Sequence, residues 1–214
     1  MVFVLVLAVW IFSLCVHEYA HARVAYAGGD TTVAEKGYLS MNPLRYMDPV
    51  YSILMPLVFL ALGGIGLPGG AVYVDRSRLR GRGWNSAVSL AGPASNLALA
   101  VVLAVLLRFA VPEGSPMAPI VAFLCILQLT AVALNLLPLP PLDGYGIISP
   151  FLPPNIRSRL MGLGRWSIII VFVLLWSVPA FGNAFWGLVF GVGEALGVSR
   201  VLAVQGLEEF MIWR

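Results

Sequence analysis

The sequence predicts an all-α polytopic membrane protein. About five to six membrane segments are expected: a three-helix core, a re-entrant or hairpin segment, and further segments toward the C-terminus. Three observations predict this class. Of 214 residues, 60% are hydrophobic and only 11% charged, whereas a soluble domain carries about 25% charged residues. Mean hydropathy is +0.91, and the apolar residues fall in continuous runs, which suits spanning helices rather than the alternating strands of a barrel. The connectors between runs concentrate the arginines, the ordinary bias of cytoplasmic loops. The net charge of +3 follows from that bias, so the basic balance does not point to nucleic acid.

The elements follow in chain order. Val2 to about Ala27 is one unbroken apolar run ended by Gly28-Gly29. It lacks a basic n-region and a small-residue cleavage site before His17, so it is expected to be a retained helix and not a signal peptide. Residues 28–49 form a polar connector, in which Tyr38 to Met41 has the composition of a short strand and Asn42-Pro43 and Asp48-Pro49 are turn signals. Val50 to Leu67 is apolar but interrupted by Pro56 and Gly63-Gly64. Arginine-bearing connectors on both sides of it favour a re-entrant loop or tight hairpin over a full crossing. Arg76, Arg78, Arg80 and Arg82 then mark a cytoplasmic loop. Trp84 to Val111 and Met117 to Leu137 are strong spans joined by a short loop carrying Glu113. Trp166 to Val198 is apolar but broken by Pro179 and Gly182-Asn183. It reads as two short crossings, or as one crossing plus an interfacial helix. One membrane domain, 1–214, is expected, with a core over about 1–150 and accessory segments over about 166–198.

Chemistry concentrates at His17-Glu18-Tyr19-Ala20-His21. The pattern H-E-x-x-H on a helix sets two imidazoles four residues apart on one face, where they can bind one zinc, with the Glu as base for water. His17 and His21 are the only two histidines in the chain. Sixteen residues precede His17, which places the motif about 24 Å along its helix and inside a hydrocarbon layer about 30 Å thick. Buried imidazoles and a carboxylate at that depth are costly unless compensated, and a metal compensates them directly. Cys15 points away from His17 on a helix and is a poor co-ligand; Cys15 and Cys125 read as small buried hydrophobes.

A catalytic zinc keeps three protein ligands and one open position. With no third histidine, the third ligand is expected to be a carboxylate. Of the ten, Asp143 and Glu194 lie at membrane depth. Asp143 is favoured because it ends a span on the same side as His17 and follows a proline-rich break. Glu35 is the fallback. Asn96 and Asn135 lie inside apolar runs and have two readings: hydrogen bonds between helices, or substrate-binding and oxyanion-stabilising groups. For His17, Asn96 and Asp143 to meet at one depth, the three core helices must run down, up, down.

H-E-Y-A-H at the end of an apolar helix, G-P-A-S-N at 92–96 and N-L-L-P-L-P-P-L-D-G at 135–144 together resemble the site-2 protease family of intramembrane zinc metallopeptidases. The stretches L-S-M-N-P-L-R-Y-M-D-P and V-Y-V-D-R-S-R-L-R resemble its short prokaryotic members without PDZ or CBS domains. The resemblance covers roughly residues 10–150. It implies one zinc per chain held by His17, His21 and Asp143, Glu18 as general base or acid, and Asn96 and Asn135 lining the site. It also implies hydrolysis, within the bilayer, of single-span membrane proteins or signal-peptide remnants, with transmembrane helices as substrates, in a prokaryotic cell membrane with the site toward the cytoplasm. The alternative is a zinc transporter or metal-handling membrane protein, which would also place His and Asp in helices but would need further ligands along a path to the far side; the far halves of these helices offer almost none.

Overall fold

The computed structural model describes residues 2–42 and 72–211. The segment expected to be re-entrant, Val50 to Leu67, and the turn signal Asp48-Pro49 lie outside the described residues.

Helix α1, Val2–Gly28, carries no proline and no glycine before its last residue, so nothing interrupts its ladder. It stops at Gly29, whose φ of 119° is open to glycine and closed to most other residues. A single helical turn, α2, Thr32–Glu35, follows. Tyr38–Met41 is a run of turns and bends and not the strand its composition suggested. The reason is local: Tyr38 N–H bonds Val33 O at 2.9 Å and Ser40 N–H bonds Gly37 O at 3.3 Å, so these groups are satisfied without a neighbouring strand.

After a 3-10 turn at Arg76–Arg78, helix α3 runs Arg82–Phe109 straight through Pro93, and α4 runs Met117–Asn135. These three long helices, α1, α3 and α4, are each long and apolar enough to cross a membrane. Helix α4 is the central one, with 72% of its apolar window buried, against 39% for α1 and 28% for α3. Helix α3 packs along both of the others, giving the expected three-helix core.

The short helix α5, Asp143–Ile148, turns back under this core and contacts α3. Helix α6, Pro154–Gly162, carries Arg157 and Arg159 and lies on the surface. Helix α7, Ser167–Ser177, and helix α8, Pro179–Ala195, divide the last apolar run at Val178. Pro179 therefore starts a helix, where its missing N–H costs nothing. Gly182-Asn183, expected as a break, lies inside α8; Gly182 instead lets that helix approach the Leu175 carbonyl. Helix α9, Arg200–Phe210, returns to pack along α4, where Phe210 stacks on Phe3 with ring centroids 5.3 Å apart. The bends between Pro154–Trp166 and Ile169–Ser177 (74°) and between α8 and α9 (112°) raise the candidate spans from three to as many as five. The described residues contain no strand. The protein is all-α and multi-pass.

Candidate metal centre

The down-up-down order brings the second half of α1, the first half of α3 and the turn after α4 to one end of the bundle. There the Nε2 atoms of His17 and His21 lie 3.0 Å apart. Asp143 Oδ2 is 3.3 Å from His17 Nε2 and its Oδ1 is 3.4 Å from His21 Nε2. Among the described residues this is the one group of three or more His, Cys, Asp and Glu side chains with metal-binding geometry. Glu194 and Glu35, the other carboxylates considered, are both exposed and outside it.

The donor set fits a zinc ion on its own chemistry. His21 Nδ1 is 2.6 Å from Val88 O, and a carbonyl only accepts, so Nδ1 carries the proton. His17 Nδ1 is 2.7 Å from Asn96 Oδ1, while Asn96 Nδ2 donates to Gln128 Oε1 at 3.0 Å, so His17 is protonated at the same position. As neutral imidazoles with the proton on Nδ1, both turn Nε2 lone pairs toward each other and toward a carboxylate. Three acceptors facing one point repel unless a cation lies between them. Zinc bonds of about 2.0–2.2 Å in tetrahedral geometry set ligand atoms about 3.4 Å apart, close to the three distances observed.

Local sequence explains why the ligands converge. Gly92 lies directly beneath the two imidazoles: a Cβ there would meet His21 Nε2 and His17 Cε1 and Nε2. The next residue, Pro93, has no N–H to give the Ser89 carbonyl, which loosens the ladder one residue from the Val88 carbonyl that receives His21. Gly144 does the same work for the carboxylate. A Cβ at that position would overlap the Leu136 and Leu137 carbonyls, so only glycine lets α5 start tight against the end of α4 and aim Asp143 inward.

Glu18, 4% exposed, faces the same cavity and accepts the Val72 N–H at 3.0 Å through Oε2. That cavity, about 470 Å³, is also lined by Asn135, Arg76 and Ser89. Asn135 is buried at the last turn of α4. Asn96 is also buried, but its amide is engaged at both ends, by His17 and Gln128. Of its two readings, the structure shows the hydrogen bond between helices, α3 to α4, with an orienting bond to His17 added. Cys15 and Cys125 are buried apolar-run residues, and Cys125 Sγ lies 3.3 Å from Ala100 O.

Sequence reasoning missed three contributors. Gln128 sits in an apolar run and is fully buried; a lone amide at that depth was the available signal. Asp30 was read as connector, yet it is fully buried. It accepts Thr32 N–H and Oγ1–H through Oδ1 and the Asp75 N–H through Oδ2, the last at 2.7 Å. These bonds pin the end of α1 to residues 72–75, which cover the cavity. Arg76 was read as one of a cluster of loop charges. Its guanidinium instead reaches Asn85 O and Ser89 Oγ at 3.3 and 3.0 Å, at the mouth of the metal cavity.

Comparison with known proteins agrees with this geometry. No family model matches the chain, and no solved structure matches it. Among curated proteins, Rip2 of Mycolicibacterium smegmatis is 46% identical over 213 residues, 99% of this chain and 82% of that protein. Rip2 of Mycobacterium tuberculosis is 43% identical over the same span. YwhC of Bacillus subtilis is 36% identical over 188 residues, 82% of this chain and 81% of its own length. The names of all three propose zinc metalloprotease activity for them. A buried His-His-Asp donor set that calls for a cation, a carboxylate beside it and these relatives along nearly the whole chain lead to one assignment: this chain is a multi-pass zinc metalloprotease and belongs to the site-2 protease family.

Proposed function

We propose that the protein hydrolyses peptide bonds of single-span membrane proteins, or of signal-peptide remnants, inside the bilayer. The observation that carries this reading is that Glu18 and the His17–His21–Asp143 group line one cavity, walled in part by helices long enough to span a membrane. Single transmembrane helices are the substrates that placement favours. A helix has its carbonyls bonded internally, so a substrate must unwind locally before a carbonyl can enter.

Zinc, when bound, lowers the pKa of water in its open position toward 7 and polarises a carbonyl oxygen. Glu18 then takes the proton from the attacking water and passes it to the leaving amine. The Val72 N–H on Glu18 Oε2 fixes one carboxylate oxygen and leaves the other for that proton. Asn135 is the amide left to face the substrate, and it stabilises the developing oxyanion or holds the substrate backbone. Asn96 acts one step back, by orienting His17.

The sidedness follows from charge. Arg76, Arg78 and Arg80 precede α3, Arg82 opens it, and Arg157, Arg159 and Arg165 follow α5. All seven lie in the connectors and short helices or at the helix start at the metal end of the bundle, which supports a cytoplasmic site in a prokaryotic cell membrane.

The test is cleavage of a single-span substrate in liposomes by wild type and Glu18→Gln, with zinc counted in both. One zinc per chain in each, and cleavage in wild type alone, is expected. Zinc in both with cleavage in neither would overturn the reading.

A further inference from the structure

Beside the metal cavity lies a second, open cavity of about 850 Å³ that the metalloprotease chemistry does not use. Its lining includes Arg76, Arg82 and Arg157, with Ser77, Ser158 and Asn85 between them. Among the described residues, none of the three arginines has a carboxylate within salt-bridge distance; the Arg–Asp pair in this region is Arg78–Asp75. Partial burial lowers the pKa of the Arg76 guanidinium, Asp143 opposes this, and the like charge of Arg157 lowers it further. All three arginines are exposed and reached by water, and an anion among them would be held by the summed attraction of their like charges. Paired guanidiniums with neighbouring hydroxyls are the donor set that binds phosphate oxygens in forked geometry.

The surroundings say where that phosphate comes from. The cavity lies where the candidate span α3 begins and where α6 opens the bent pair Pro154–Trp166 and Ile169–Ser177, positions that suit the level of lipid headgroups. Its lining also includes Leu152 and Met161. Beside it Phe151, Met161 and Trp166 are 62%, 59% and 53% exposed. A soluble anion has no use for such side chains, but they suit the boundary between headgroups and acyl chains, where Trp collects. Basic pockets between helices at a cytoplasmic surface are suited to anionic headgroups.

We propose that this cavity binds the phosphate of an anionic phospholipid. Arg76 lines both cavities, so the headgroup sits one side chain from the metal centre. The site rests on membrane placement and does not depend on the reaction proposed above.

The test uses the full chain with zinc bound in nonionic detergent. Native mass spectrometry counts short-chain phosphatidylglycerol on the protein, with phosphatidylcholine of equal chain length as the reference. One phosphatidylglycerol per chain is expected, held at least tenfold more tightly than phosphatidylcholine. Arg82→Gln/Arg157→Gln should weaken it tenfold or more. Arg159→Gln/Arg165→Gln, which removes equal charge from exposed positions outside the lining, should not. Equal losses in the two pairs would reduce the effect to general surface charge and overturn the site. Inorganic phosphate bound as tightly as the lipid would overturn the lipid assignment in favour of a soluble anion. An acidic juxtamembrane peptide bound in preference to the lipid would also overturn it. The comparisons on wild type stand whatever the variants do, and unchanged zinc content checks their fold.

Discussion

A histidine becomes a reliable zinc ligand when its other nitrogen is held. His21 is held by a backbone carbonyl that no side-chain change removes. His17 depends on Asn96, and Asn96 on Gln128. Partners of this kind are worth about 10–100-fold in metal affinity, whereas a hydrogen bond between membrane helices averages about 0.6 kcal/mol in stability. Asn96→Ala should therefore weaken zinc binding by about 10–100-fold while the protein stays folded, as read by chelator competition and circular dichroism. Gln128→Leu should act in the same direction and more weakly, because Asn96 keeps its bond to His17. Gly92→Ala is expected to be more severe than either. Its Cβ would occupy the space of both imidazoles, so zinc should be lost outright at a concentration that saturates wild type.

At the scale of elements, the site is built by helix ends. Helix α4 finishes at Asn135 and α5 starts at Asp143, and the seven residues between them must fold back within hydrogen-bonding reach of α1. Gly144→Ala would push α5 off the Leu136 and Leu137 carbonyls and carry Asp143 away from the histidines. The expected result is loss of zinc binding with the helical content of α1, α3 and α4 unchanged. Asp30 sets a different joint. Asp30→Ala leaves the N–H groups of Thr32 and Asp75 without their acceptor, a loss of about 1–3 kcal/mol for a buried unsatisfied group. It frees residues 72–75 from the end of α1. Zinc content should persist, and trypsin cleavage after Arg76 and Arg78 should accelerate. An unchanged cleavage rate would show that Asp30 does not secure this segment.

The two ends of the molecule carry different equipment. The ligands, the arginine-rich connectors and both large cavities share the metal end; the loop with Glu113 caps the other. Single cysteines introduced at Ser77 and Ser158 should label with a membrane-impermeant thiol reagent from one side of sealed vesicles, and a cysteine at Glu113 from the other. Cys15 and Cys125 are buried, so the wild-type background should be low. Labelling of all three from the same side would refute the down-up-down order. Chelation should abolish cleavage, and zinc should restore it, without dispersing the bundle, because the cores between α4, α8 and α9 hold no metal ligand.

How much of this could be read before any coordinates depends on the range over which each feature is encoded. The spans are written locally: a continuous apolar run with few charges leaves the bilayer as its solvent, and a spacing of four residues puts two imidazoles on one face whatever the rest of the chain does. The pairing of His17 with His21 was legible for that reason, and Asp143 beside them was the carboxylate favoured among ten. The strand expected at Tyr38–Met41 was misread because composition cannot tell whether a partner strand exists. The break expected at Gly182-Asn183 was misread because a glycine can equally serve a close contact inside a helix. What Asn96 does, why residues 92 and 144 must be glycine, and the parts played by Gln128, Asp30 and Arg76 were beyond the sequence. Each depends on groups brought together from dozens of residues apart, and only the packing of the helices decides which of them meet. The sequence by itself determined the medium, the helices and the metal-binding chemistry; the tertiary structure decided which side chains hold the ligands, because orientation is set by neighbours in space.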